Sequence, residues 1–142
     1  MALVNSGKPE EAVHHYDEAL RIKPRSAEAH NNLGILLAQS GKLAQALEQL
    51  RQAVQIDPRY AEAQNNMGIT LVQCGRTQEA IPCFEQAVRI APDYAEAHCN
   101  LGSALELAGR QPAAIGEYEQ ALRLQPNLTA AKDALARLKA EQ

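Results

Sequence analysis

The chain has 142 residues, of which 46% are apolar and 22% are charged, and its formal net charge is -3. This length and balance predict one globular domain with a real core, and the interleaved charges exclude the basic stripe of a nucleic-acid-binding protein. No apolar run is long enough to span a bilayer, and the first residues lack the basic and apolar segments of a secretory signal.

One phrase recurs along the chain at an interval of 34 residues. It takes three forms, EAHNNLG at 28–34, EAQNNMG at 62–68 and EAHCNLG at 96–102. Alignment without gaps gives three full units at 27–60, 61–94 and 95–128. Residues 7–26 match the second half of a unit, and the tail from 129 matches the first half. Self-similarity at this period is the signature of a repeat architecture, so we expect a single repeat domain over 1–142.

Each unit predicts two helices. Apolar residues such as Leu33, Leu36 and Leu37 follow helical spacing, and glycine in "SGK", "CGR" and "AGR" ends the first helix. Proline at 58, 92 and 126 ends the second helix. We predict first helices over 27–40, 61–74 and 95–108, second helices over 44–57, 78–91 and 112–125, and a capping helix within 129–142, near 129–139.

Two local features add to this prediction. Asp93 lies three residues before Glu96, and the two resemble a capping box at the start of the first helix of the third full repeat. Pro82 falls about one turn inside a second helix, where it should remove a backbone hydrogen bond or shift the helix start.

Small residues at fixed positions predict close packing between the helices. Glycine inside a helix costs roughly 1 kcal/mol relative to alanine, so Gly34, Gly68 and Gly102 need a reason, and close approach of the second helix provides it. Larger side chains should fill the seams as the core, namely Leu37, Leu50, Leu71, Phe84, Leu105 and Tyr118. One helix pair leaves apolar surface exposed, so stacked neighbours must complete the core.

The period of 34 residues, with Leu33, Gly34, Ala46 and Pro58 in register, resembles the tetratricopeptide repeat. The resemblance extends over nearly the whole chain. It implies an all-α, right-handed α-solenoid of antiparallel helix pairs, in which first helices line a concave groove and second helices form the convex back.

The repeated asparagines Asn32, Asn66 and Asn100 precede a packed residue on each first helix and should face the groove. A side-chain amide matches the donor and acceptor of a peptide backbone without reading its side chains. This resembles the asparagine ladder in the repeat arm of the glycosyltransferases that place N-acetylglucosamine on serine and threonine. With Asn31 and Asn65, these residues are candidate peptide-binding residues. The alternative is that the asparagines bond neighbouring helices or water.

Chaperone-linked members of the family hold acidic tails with a clamp of lysine, arginine and asparagine. Asn31, Ile35, Glu96 and Asn100 replace the other clamp residues, and only Asn66 agrees, so we do not expect that specificity. The remaining candidate binding residues are acidic and stand along one edge, Glu28, Glu62 and Glu96. They should attract a basic segment, or they serve the helix dipole from the first turn.

The reactive side chains form no catalytic or metal-binding constellation. His14 and His15 are adjacent on a predicted second helix and diverge, whereas His30 and His98 are two repeats apart. Three cysteines without a C-x2-C pair predict reduced thiols, and they are Cys74, Cys83 and Cys99. We therefore predict no enzymatic activity, no cofactor, no metal and a cytoplasmic location.

These observations predict a non-enzymatic scaffold that binds a peptide or a partner helix in its concave groove. Two alternatives stand beside it, the repeat arm of a larger glycosyltransferase-like enzyme and a self-assembling solenoid. Residues 1–6 supply only part of the helix that should cover Val13, Tyr16 and Leu20. An uncovered apolar end predicts end-to-end association, with the capping helix docking against a neighbour.

Overall fold

The computed structural model describes residues 9–142, which contain eight α-helices and no strand. The helices are α1 (Pro9–Ile22), α2 (Ala27–Gln39), α3 (Leu43–Ile56), α4 (Ala61–Gln73), α5 (Thr77–Ile90), α6 (Ala95–Leu107), α7 (Gln111–Leu124) and α8 (Thr129–Ala140). The predicted bounds are confirmed to within one residue at nearly every helix end. None of the described helices is long and apolar enough to cross a membrane.

The helices form an all-α solenoid in which each helix packs against its neighbours along the chain. Connections of a few residues make consecutive helices antiparallel, because a short loop cannot carry the chain back to the other end. Neighbouring first helices also contact each other directly, α2 with α4 and α4 with α6. They therefore line one side of the molecule, and the second helices α3, α5 and α7 line the other.

The turn inside each full repeat is made by glycine in the left-handed conformation. Gly41, Gly75 and Gly109 have φ values of 80°, 77° and 80°. In the first of these turns, the Lys42 N–H donates to the Leu37 carbonyl at 2.9 Å and closes the end of α2. An L side chain is strained at such a φ, so the predicted glycine stops are confirmed with their physical reason.

The helix starts differ from one of our predictions. Ser26 caps α2 by accepting the Ala29 N–H at 3.1 Å. The capping box predicted at Asp93 and Glu96 is wrong, because the N-cap of α6 is Tyr94 and its side chain makes no capping bond. The two-residue turn before α6 places Asp93 one position too early for its carboxylate to cap the helix.

Pro82 lies within α5, and the helix continues through it. The proline removes the N–H that would otherwise donate to the carbonyl of Gln78, one turn earlier. Gln78 and Pro82 are both exposed, so water can satisfy that carbonyl. The missing bond is therefore compatible with a continuous helix, and α5 begins at Thr77.

The predicted core is confirmed. The six large side chains named from the sequence are all buried, with exposures from 0% to 6%: Leu37, Leu50, Leu71, Phe84, Leu105 and Tyr118. A single cluster runs from Leu47 to Leu138 and joins α3 to α8. Val13, Tyr16 and Leu20 of α1 pack against a smaller cluster around Leu33. The partial helix expected within residues 1–6 lies outside the described residues.

Candidate functional site

The first helices present one continuous stripe of side chains away from the second helices. On α2 the stripe consists of Glu28, Asn32, Ile35 and Gln39, which follow the i, i+4, i+7, i+11 spacing of one helix face. All four side chains are exposed or half-buried. The equivalent residues on the next two first helices are Glu62, Asn66, Ile69 and Gln73 on α4, and Glu96, Asn100, Ser103 and Leu107 on α6. We call these twelve residues the open face.

The open face changes character in the third repeat. Ser103 replaces isoleucine, and Leu107 replaces glutamine with a side chain that is 65% exposed. An apolar side chain of this size on the surface adds to the contact area available to a partner. The open face is therefore polar at its edges and carries apolar contacts along its middle and at its third helix.

The two adjacent asparagines of the first two full repeats lie in different environments. Asn31 and Asn65 are buried, with exposures of 2% and 3%, between neighbouring first helices. Asn31 Nδ2 donates to the Tyr60 hydroxyl at 3.3 Å, and Asn65 Nδ2 donates to the Tyr94 hydroxyl at 3.2 Å. Because a buried amide without partners is costly, these tyrosines explain why asparagine is tolerated in the core.

The buried asparagines in turn hold two amides of the open face. Asn66 Nδ2 donates to Asn31 Oδ1 at 3.0 Å, and Asn100 Nδ2 donates to Asn65 Oδ1 at 3.0 Å. Each half-buried amide uses one N–H in this way. Among the described contacts, the second N–H and the carbonyl oxygen of Asn66 and Asn100 have no side-chain partner.

The amide network has two ends. The side-chain amide of Asn32 makes no hydrogen bond to another first helix within the described residues, because no first helix precedes α2 in that part of the chain. At the other end, the position of the buried asparagine is occupied by Cys99 and that of its tyrosine by Leu128. The position of the next open-face asparagine is occupied by Ala134. Apolar contact thus replaces the polar bridge between α6 and α8.

The two bridging tyrosines stay protonated at neutral pH. Burial, together with the nearby carboxylate of Glu62, raises the pKa of both the Tyr60 and the Tyr94 hydroxyls. A neutral hydroxyl can both donate and accept, so each tyrosine remains a partner for its asparagine.

The three open-face glutamates carry the strongest charge of the site. Glu28, Glu62 and Glu96 are exposed, and none forms an ion pair with a residue that the structure describes. Helices α2, α4 and α6 contain no lysine or arginine. The open face therefore presents uncompensated negative charge in an otherwise mixed molecule.

Two histidines tie the first helices to the second helices. His98 is 8% exposed, and its ring contacts Glu117 Oε1 at 2.8 Å and the Pro92 carbonyl at 2.9 Å. His30 makes the same pair of contacts with Gln49 Oε1 and the Pro24 carbonyl. Both histidines therefore act in packing between elements. In both sets the histidine lies 19 residues before its side-chain partner and six residues after the proline. This equal spacing is the sequence signal that predicts these contacts.

Sequence reasoning missed a polar contact at the last helix. Arg137 of α8 forms a two-pronged ion pair with Glu106 of α6, and the Tyr118 hydroxyl donates to Glu106 Oε1 at 3.0 Å. The hydrogen bond from Arg137 lowers the pKa of the Glu106 carboxyl. These residues border a depression that also contains Asn100 and Ser103, so the open face ends against α8.

The thiols differ in accessibility. Cys83 and Cys99 are buried and Cys74 is exposed. Burial, with Glu79 nearby, raises the pKa of Cys83 to about 11, and burial also raises that of Cys99. All three cysteines are free, as expected from their spacing.

The geometry defines a class of protein, a helical repeat scaffold whose first helices carry an open face. Two family models, both described as tetratricopeptide repeat, match residues 1–61 and 59–127. The chain belongs to the tetratricopeptide repeat family and is a protein-interaction scaffold. Members of this family are generally non-catalytic. No curated protein sequence matches the chain.

Solved structures share this fold. A crystal structure of MamA aligns with a TM-score of 0.90 and 24% identity, covering 99% of this chain and 82% of that chain. MamA 41-end from Desulfovibrio magneticus RS-1 aligns with a TM-score of 0.89 and 24% identity, covering 99% of this chain and 79% of that chain. The first tetratricopeptide domain of Spaghetti (RPAP3), bound to the HSP90 peptide SRMEEVD, gives 0.79 and 21%, covering 81% and 91%.

Proposed function

We propose that the open face binds an extended segment of a partner protein, and that Asn32, Asn66 and Asn100 contact the backbone of that segment. One observation carries the proposal: Asn66 and Asn100 are each held from behind by a buried asparagine. Each keeps an N–H and a carbonyl oxygen free of side-chain partners. A donor and an acceptor on one rigid group match a peptide unit, which offers one of each.

In this proposal Asn31 and Asn65 position the side chains of Asn66 and Asn100 and do not touch the ligand. Their bonds to Tyr60 and Tyr94 orient the amides that receive Asn66 and Asn100. A binding group that is already fixed loses less side-chain entropy when its ligand arrives. The tyrosines therefore contribute to affinity through the order of the open face.

The charges of the open face argue against an acidic ligand. The HSP90 peptide of the RPAP3 complex ends in Glu-Glu-Val-Asp. Glu96 and Asn100 stand here where the family's acidic-tail clamp has lysine and arginine. Like charges across a contact are unfavourable, so a partner of that kind would be repelled.

The proposed role includes no catalysis by this chain. The ring nitrogens of His98 contact two oxygen atoms of the fold, and raised pKa values keep Cys83 and Cys99 as thiols at neutral pH. A nucleophile or a base must be accessible and correctly protonated to act. These three groups are instead buried parts of the packing.

The test begins with selection of a displayed library of random dodecapeptides on the purified chain. Enriched peptides are then synthesised with a fluorescent label and titrated by anisotropy. Asn32→Ala is the cleanest variant, since Asn32 holds no other helix among the described residues. One lost backbone contact should weaken binding by about two- to tenfold, because such a bond contributes roughly 0.5–1.5 kcal/mol.

Gln86→Ala is the matched control, since it removes an exposed amide from the second helix α5. It should leave affinity within error of the wild type. Urea unfolding of each variant separates a loss of binding from a loss of folding. The proposal is wrong if no peptide is enriched, or if enriched peptides bind Asn32→Ala and Asn66→Ala/Asn100→Ala as tightly as the wild type.

A further inference from the structure

We infer that the segment bound by the open face is cationic, with lysine or arginine at every third residue of a polyproline-like stretch. This inference rests on the proposed function and specifies its ligand. It follows from three features of the open face: the sign of its charge, the lack of internal neutralisation and the spacing of the first helices.

Basic residues are segregated to one side of the solenoid. The first helices α2, α4 and α6 carry four glutamates and no lysine or arginine, whereas every second helix carries an arginine: Arg21, Arg51, Arg89 and Arg123. Three more cations lie on α8. The molecule therefore has a small net charge and yet offers a purely acidic open face.

Several glutamates outside the open face are neutralised within the fold. Glu18, Glu48 and Glu79 each pair with an arginine of their own helix or of the preceding turn. Glu106, the fourth glutamate of the first helices, pairs with Arg137. Glu28, Glu62 and Glu96 have no such partner among the described residues, so an external cation meets carboxylates that are free to accept it.

The helix dipole explains part of this pattern. Each of the three glutamates lies in the first turn of its helix, where negative charge is favourable. The dipole does not explain the absence of cations from the rest of α2, α4 and α6. The last turns of these helices would favour lysine or arginine, and they contain none. Attraction of a cationic ligand accounts both for the glutamates in the first turns and for the lack of lysine and arginine in the last turns.

The repeat spacing specifies the ligand. Packed helices lie about 8–10 Å apart, so Glu28, Glu62 and Glu96 recur at roughly that interval. A polyproline II stretch rises about 9 Å per turn of three residues, and its side chains at i, i+3 and i+6 point the same way. Its backbone makes no internal hydrogen bonds, which leaves it available to the asparagine ladder.

The acidic row also has an end. Ala130 stands on α8 where the next glutamate would be, and Arg137 stands where the first two repeats have isoleucine. A complementary segment therefore carries three basic residues for the three glutamates.

Three labelled peptides of equal length test the inference by fluorescence anisotropy at about 50 mM salt, where screening is weak. The first has lysine at every third position with Pro-Ala between lysines, the second has the same composition with adjacent lysines, and the third has glutamate in place of lysine. We expect tightest binding by the first peptide. Affinity should fall about tenfold for Glu28→Gln/Glu62→Gln/Glu96→Gln, since exposed pairs are individually weak.

The triple variant Glu48→Gln/Glu79→Gln/Glu85→Gln is the charge-matched control on second helices, and its affinity should change less than about twofold. Equal losses in both triple variants would overturn the inference, since net charge would then explain them. Equal affinity for the first two peptides would overturn the inferred three-residue spacing of the basic residues in the ligand. Library peptides that depend on Asn32 but show no excess of lysine or arginine would overturn the inference and leave the proposed function intact. A library without enrichment would overturn both.

Discussion

The backbone of Gly68 lies directly against the ring of Phe84, so that a β-carbon at Gly68 would come within 2.6 Å of Phe84 Cε1. Phe84 is 1% exposed and is enclosed by the main core cluster, so its ring cannot move aside. Gly68→Ala should destabilise the fold by about 1–3 kcal/mol, and Gly68→Leu by more, because overpacking exceeds the gain in helix propensity. The midpoint of urea unfolding measures both changes.

Gly116→Ala is the matched control for this prediction. Gly116 lies inside α7, is exposed, and has nothing within 4 Å of the position of an added β-carbon. Alanine there should stabilise the fold by roughly 0.5–1 kcal/mol. An unchanged midpoint in Gly68→Ala would show that α4 and α5 separate more easily than their packing implies.

A second prediction concerns the buried pair of Asn65 and Tyr94. Asn65→Leu should destabilise by about 1–3 kcal/mol, because it leaves the Asn100 amide and the Tyr94 hydroxyl without their partner. The third repeat has cysteine and leucine at these two positions, so Asn65→Cys/Tyr94→Leu copies an apolar pair that the fold already contains.

A double-mutant cycle in urea measures the coupling between these two residues. The double variant should lose less stability than the sum of Asn65→Cys and Tyr94→Leu. Asn65→Cys strands the Tyr94 hydroxyl and the Asn100 amide, and Tyr94→Leu strands the Asn65 amide, whereas the double variant strands only the Asn100 amide. Strict additivity would mean that the hydrogen bond between the two side chains contributes nothing to stability.

The ion pair between Arg137 and Glu106 predicts a dependence of stability on pH. The pKa of Glu106 is lowered in the folded state, first by the Arg137 hydrogen bond. Its contribution is therefore complete above the unfolded-state pKa and is lost as pH falls through the folded-state pKa. Arg137→Met should lower the urea midpoint at about pH 7, and this difference should shrink as pH approaches about 3.

Arg51→Met supplies the comparison for that experiment, since Arg51 and Glu48 form an exposed pair within one helix. It should change the midpoint little at either pH, as exposed pairs usually do. If Arg137→Met and the wild type differ equally at both pH values, packing of the arginine stem rather than its charge holds α8.

Thiol labelling provides a fourth prediction. Cys74 is exposed, whereas Cys83 and Cys99 are buried with raised pKa values, so few of their thiolates exist at neutral pH. Iodoacetamide should modify one cysteine quickly in the folded protein and three in urea. Mass spectrometry should place the fast label on Cys74, and Cys74→Ser should abolish the fast phase. Rapid labelling of Cys83 would show local opening of α5.

The fold was predictable because its determinants are local and repeated. Gly41 marks a turn that only a left-handed residue makes easily, and Pro58 marks a helix end. The absence of a capping box at Asp93 was not predictable, because formation of the box depends on which residue of a short turn becomes the N-cap, and here it is Tyr94.

The candidate site was predictable only in part. The sequence locates the paired asparagines, but adjacent residues on a helix differ by about 100° in direction, and the rotation of the helix decides which one is buried. Tyr60 is the missing signal, because its position 29 residues after Asn31 is repeated by Tyr94 after Asn65. The pair of Glu106 and Arg137 had no such signal, since the equivalent residues of other repeats are uncharged.

The polar bridge between first helices determines how such a chain can grow. The middle repeat, 61–94, donates a side-chain hydrogen bond from Asn66 to the repeat before it and accepts the equivalent hydrogen bond at Asn65 from the repeat after it. It also includes Tyr94, which orients Asn65. A second copy of 61–94 inserted after the first would therefore satisfy every amide at both new junctions. A second copy of 95–128 would place its own asparagine behind Cys99 and strand it. Lengthening by duplication is thus permitted at one module of this solenoid and penalised at the next.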